Sequence, residues 1–140
     1  MSNYKENDPL YSYTPIKTNE IRLLRVHFDD DRSIHSDLRI FPLEPQRHPE
    51  FVTLSYVWGK IEPGPSIQVG GKTLPILASL YDFLQHLRDE EERWRHAWWW
   101  IDAVCINNED TEERGNQVRN MGTIYRHSEE TLVVARRRVK

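Results

Sequence analysis

The chain is 140 residues long, enough for one domain with a real core and too short for two comfortable ones. An apolar fraction of 38%, a charged fraction of 29% and a formal net charge of -3 exclude a disordered chain and give no reason to expect a nucleic-acid partner. No apolar run approaches the roughly 18 residues of a bilayer span, residues 1–6 lack a signal peptide's apolar region, and the single cysteine, Cys105, rules out an internal disulfide, so a cytoplasmic location with no membrane span is expected.

Residues 1–20 are polar, carry Pro9 and Pro15, and show no sustained periodicity, which predicts a surface arm. Ile21-Arg22-Leu23-Leu24-Arg25-Val26 and Leu38-Arg39-Ile40-Phe41 are rich in branched residues and are separated by Asp29-Asp30-Asp31, the pattern of a β-hairpin. Residues 51–58 are almost continuously β-branched or aromatic and stop at Gly59, as a central strand would. Gly70-Gly71 lies between two short strand-like runs, 67–69 and 73–76, and predicts a tight, peripheral inserted hairpin.

Leu80, Phe83, Leu84 and Leu87 repeat at helical spacing behind a Ser79/Asp82 capping pair. The charge run 89–93 reads as a solvated helix face. Residues 98–106 are the most apolar stretch and predict a second central strand. Asp110 and Glu113 then form a capping box for a helix over 111–127, with Val118, Met121 and Tyr125 on its apolar stripe and Ile124 beside them. Residues 131–134 predict a third buried strand. Alternation of strand and helix gives an α/β fold: a small open, mainly parallel sheet flanked by helices, with an N-terminal β-hairpin and a small inserted hairpin.

Few motifs carry chemistry. Gly71-Lys72-Thr73 matches the end of a phosphate-binding loop, but the upstream glycine of that motif is Ser66 here and no helix start follows. One cysteine with scattered histidines offers no metal-ligand spacing. Cys105 lies in an apolar run without an adjacent histidine and reads as a core residue rather than a nucleophile, and the Trp98-Trp99-Trp100 triplet as packing. Asp102 is a carboxylate inside an apolar run, which needs a partner such as Arg114, a tryptophan N–H or a backbone amide. Glu113 is accounted for by the capping box or by a catalytic role.

The ordered blocks Leu54-Ser55-Tyr56-Val57-Trp58-Gly59, Trp100-Ile101-Asp102-Ala103-Val104-Cys105-Ile106-Asn107, Glu113-Arg114, Gln117-Val118, Met121 and Ile124-Tyr125 resemble the signature of the heterokaryon-incompatibility (HET) domain. The similarity runs from about residue 20 to 134, leaving residues 1–20 as an arm and 135–140 as a basic tail. It implies a fungal protein of allorecognition and programmed cell death, related at a distance to the TIR domains of innate immunity. It also singles out Tyr56, Trp58, Gly59, Asp102, Cys105, Asn107, Glu113, Arg114 and Gln117 as family-signature or ligand-binding residues. Several TIR domains hydrolyse NAD with a glutamate on the helix after the third strand, and this chain stops before that helix. Asn108 stands where the family usually has glutamine, and Ala135-Arg136 where it has Trp-Leu-Gly, so a domain incomplete at its C-terminal end is expected.

Three readings follow from the resemblance. One is a signalling module that associates with itself or with other HET- or NLR-type proteins. Another is a TIR-like NAD glycohydrolase, with NAD as substrate rather than bound cofactor, Trp58 stacking a ring, Asn107 bonding ribose, and Asp102 or Glu113 stabilising the oxocarbenium charge. The third is an inert truncated remnant.

Overall fold

The computed structural model describes residues 9–31, 33–56, 62–90 and 92–134. β1 (Glu20–Phe28) and β2 (Ile34–Pro42) form the hairpin that the sequence implies, antiparallel from Glu20↔Pro42 to Phe28↔Ile34. β3 (Phe51–Tyr56) is an interior strand, one in from the sheet edge, and flanked in parallel by β6 (Trp98–Trp100) and β7 (Glu130–Val134). β4 (Pro63–Val69) and β5 (Lys72–Leu77) make the second hairpin. Gly70 and Gly71 turn it with φ of +55° and +78°, left-handed values that cost glycine nothing sterically. All these strands share one seven-stranded sheet in the order β5-β4-β2-β1-β6-β3-β7.

That sheet is mixed, and by paired residues more antiparallel than parallel, which corrects the expectation of a mainly parallel sheet. The reason is where the N-terminal hairpin goes. Instead of lying apart, β1 inserts antiparallel beside β6 through Leu24↔Trp99 and Arg25↔Trp98, while β2 meets β4 in parallel through His35↔Gln68 and Ser36↔Val69. Among the strands, parallel pairing is confined to that short contact and to the β6-β3-β7 triplet, with one isolated parallel bridge, Leu10↔Thr73, beside β5.

Helices cover both faces. Trp99 and Trp100 are fully buried and point to opposite sides, as successive strand residues must. Trp99 packs edge-on against Phe83 of α1 (Ala78–His86), and Trp100 against Tyr125 of α4 (Thr111–His127). α1 buries Leu80 and Leu84, as its spacing requires, and Leu87 follows in a 3-10 turn. Its start is not capped by Ser79: Leu77 is the N-cap, and the Ala78 N–H donates to the Glu62 carbonyl at 3.0 Å. α2 (Glu92–Arg95) is one turn that begins at the end of the charge run and continues past it.

Three further expectations change. The apolar stretch 98–106 is not one strand: β6 stops at Trp100, and α3 (Asp102–Cys105) begins when the Ile101 carbonyl accepts the Val104 and Cys105 amides at 3.0 and 2.7 Å. Val104, Cys105 and Ile106 are buried either way, so hydrophobicity alone does not separate the two conformations. On α4 the buried positions are Glu113, Gln117 and Ile124, with Val118 53% exposed. β7 is an edge strand with Val133 69% exposed, not a third buried one. No helix among the described residues is long and apolar enough to cross a membrane.

Candidate functional site

Beyond the carboxyl end of β6, the start of α4, the end of α3, β1 and the N-terminal segment converge on one buried ion pair. Arg22 interrupts the apolar β1 and is 1% exposed; Glu113, in the first turn of α4, is 7% exposed. Arg22 Nη1 and Nη2 donate to the two Glu113 carboxylate oxygens at 2.7 Å each, the bidentate fork that suits guanidinium to carboxylate. Nη1 also donates to the Cys105 carbonyl at 3.2 Å and Nη2 to the Thr14 carbonyl at 2.7 Å. The Asn107 N–H adds a bond to Glu113 Oε2 at 2.6 Å. Both charges are thereby compensated where water cannot do it.

Tyr13 lines this network. Its ring lies 4.8 Å from the Arg22 guanidinium carbon, and its hydroxyl donates to the Val104 carbonyl at 2.7 Å. Burial pushes the Tyr13 hydroxyl pKa well above the ordinary tyrosine value, with a smaller push from Cys105. Residues 9–19 are held along their length: the Tyr11 N–H donates to the Thr73 carbonyl, the Thr73 N–H to the Pro9 carbonyl, and Asn120 Nδ2 to the Thr18 carbonyl. A groove of about 430 Å³ opens beside Tyr11 and Tyr13, bounded also by Pro75, Ala103, Asn107 and Asn108.

The structure brings Cys105, Asn107 and Glu113 together, but the first two contribute backbone groups. The Cys105 thiol is fully buried, accepts the Ile101 N–H at 3.4 Å, and has its pKa pushed up to about 12, first by burial. It is a packed thiol without thiolate character at neutral pH. Asp110 accepts the Glu113 N–H at 3.1 Å, which is half of the expected capping box. The Glu113 carboxylate turns inward to Arg22 and Asn107 instead of closing the other half.

Asp102 is the first residue of α3 and half-buried, not a carboxylate sunk in a strand. Arg114 is exposed, and among the described residues no ion pair joins the two. Gln117 is fully buried, and its Nε2 donates to the Glu20 carbonyl at 2.9 Å, tying α4 to β1. Tyr56 ends β3; Trp58 and Gly59 lie outside the described residues. Arg22 is the residue that sequence reasoning misses. Its signal was a lone charge between Ile21 and Leu23, the same signal that draws attention to Asp102.

The family described as heterokaryon incompatibility protein (HET) matches residues 51–139 of this chain. Heterokaryon incompatibility protein 6, OR allele, of Neurospora crassa is 32% identical over 142 aligned positions, which cover 89% of this chain and 20% of that protein. The chain thus spans about a fifth of the length of the curated relative it matches. No solved structure matches it.

Proposed function

The chain belongs to the heterokaryon incompatibility (HET) family, and from that premise we propose that it is a cytoplasmic module of fungal heterokaryon incompatibility that acts by binding like domains or partner signalling proteins in a cell-death response. The observation that carries this reading is the engagement of Glu113. Both of its oxygens are bonded to Arg22 and one also to the Asn107 amide, so the carboxylate serves the fold rather than a reacting molecule. Cys105, buried and protonated, supports the same view.

A test is to express the chain in a compatible fungal strain and score the viability of fused cells, with light scattering of the purified protein across a wide concentration range. Reduced viability together with concentration-dependent assembly is expected. A protein that stays monomeric throughout and leaves fused cells healthy would sink the proposal.

A second reading, TIR-like NAD hydrolysis, is favoured by one feature. In chain order the triplet β6-β3-β7 runs second-first-third, the arrangement with which flavodoxin-like sheets begin. In such sheets ligands sit at the carboxyl ends, between the first and third strands. In sequence Trp58 and Gly59 come shortly after the first strand, and half-exposed Asp102 follows the second, the first strand's neighbour on its other side. Nicotinamide release from NAD that disappears in Asp102→Ala would replace the interaction reading with this one.

A further inference from the structure

Residues 9–14 cross the body as a strap, and β5 is the strand that receives them. β5 ends the sheet order, so one of its edges is left by the other strands. The strap pairs with that edge in parallel at Leu10↔Thr73. There the Tyr11 N–H donates to the Thr73 carbonyl at 2.8 Å, and the Thr73 N–H to the Pro9 carbonyl at 2.9 Å. Such an edge offers the same groups to an extended segment of another chain. Past β5, Tyr11 and Tyr13 sit edge to face at 5.1 Å and line the 430 Å³ groove. The strap ends on the bond from the Tyr13 hydroxyl to the Val104 carbonyl and on the Thr14 carbonyl, which accepts Arg22 Nη2. The receiving surface therefore takes an extended segment with aromatic residues at alternate positions.

The strap is docked without being part of the core. None of residues 9–19 is buried, and Leu10 is 64% exposed, so undocking breaks polar bonds and leaves the apolar core closed. The bonds to Thr73 and Val104 join segments far apart in the chain, and the identical strap of a second copy can make them equally well.

The connector to β1 is short and stiff. Thr18 is anchored to α4 by Asn120, which leaves residues 15–17 between the docked strap and the docked start of β1. Among the described residues, the hydrogen bonds of 15–17 are the local ones between Lys17 and Glu20. Pro15 has a fixed φ and biases Thr14 toward extended backbone. A short connector under such constraint favours reaching a neighbouring molecule over folding back. We propose that the β5 edge and its groove are a strand-acceptor site, filled in a single copy by the chain's own strap and in an exchanged dimer by residues 9–14 of the second copy. This deepens the self-association reading and rests on it, naming the surface by which like domains meet.

The test is NMR of the full chain at high concentration, on an equal mixture of isotope-labelled and unlabelled copies, with light scattering over the same concentration range. Contacts from the Tyr13 ring of one copy to Val104 and Arg22 of the other are expected in the dimer. Inserting Gly-Ser-Gly between Pro15 and Ile16 keeps every docked group, relaxes the connector and should weaken the dimer by about tenfold. Assembly in which Tyr13 meets Val104 only within its own chain, or assembly of unchanged strength in the insertion variant, would overturn the exchange and leave the self-association reading in place. A chain that stays monomeric at every concentration would overturn both.

Discussion

Replacing Glu113 by glutamine tests whether the Arg22–Glu113 pair is structural. The substitution keeps the shape but removes the charge opposite a guanidinium that is 1% exposed. It also sets an amide NH2 against donors, because the groups facing Glu113 are Arg22 Nη1, Arg22 Nη2 and the Asn107 N–H. Breaking one side of a buried pair costs about 3–5 kcal/mol, a large part of the roughly 5–15 kcal/mol that holds a domain folded. Arg22→Met should cost a similar amount and leave the Cys105 and Thr14 carbonyls without that donor. The double variant loses both charges together, so it should fall well short of the sum, with a coupling of about 2 kcal/mol or more. Urea unfolding followed by tryptophan fluorescence measures all three, since Trp99 and Trp100 are fully buried. A cost under about 1 kcal/mol for Glu113→Gln, or strict additivity, would refute the reasoning. A gain in stability would indicate instead a strained carboxylate kept for function.

Other expectations follow from single features. The Cys105 thiol keeps its proton to about 12 in the folded chain against an ordinary 9.0. The stability this confers is complete below about pH 9 and is lost as pH rises toward 12, at roughly 1.4 kcal/mol per pH unit. Denaturant midpoints measured from pH 8 to 11 should fall, and Cys105→Ala should flatten the slope. At neutral pH, thiol reagents should modify Cys105 only in urea. A Cβ at Gly64 would lie 2.5 Å from the Ala78 Cα and 2.6 Å from its N, both backbone atoms, so Gly64→Ala should lower stability by about 1–3 kcal/mol by thermal melting. Tyr13→Phe removes the bond to the Val104 carbonyl and should cost about 1 kcal/mol in the same assay.

The hairpins were readable from the chain because their information is local: Gly70-Gly71 and the acidic turn at 29–31 sit inside the structures they specify. The sheet order was not, since no local signal tells β1 to insert between β2 and β6. Asp110 caps α4 as its spacing implies, yet the same spacing misplaces the Glu113 side chain, whose partner lies 91 residues away. The inward face of α4 was hidden for a related reason. Helical periodicity looks for apolar residues, and here two of the three buried positions are Glu113 and Gln117, polar groups made compatible with the interior by Arg22 and by the Glu20 carbonyl. The stretch 98–106 shows the opposite limit, where uniform burial erases the period that would separate strand from helix.

The sheet is assembled from three blocks, the β4-β5 hairpin, the β1-β2 hairpin and the β6-β3-β7 triplet, joined to each other by ladders of only two residue pairs. Cooperativity is weakest where so few hydrogen bonds cross, so these joints set the boundaries of sub-global opening. Amide exchange should then group by block, with the nine-pair β1-β2 ladder protected as one unit. Buried clasps such as Arg22–Glu113, which join distant segments of the chain, raise the cost of opening at those joints.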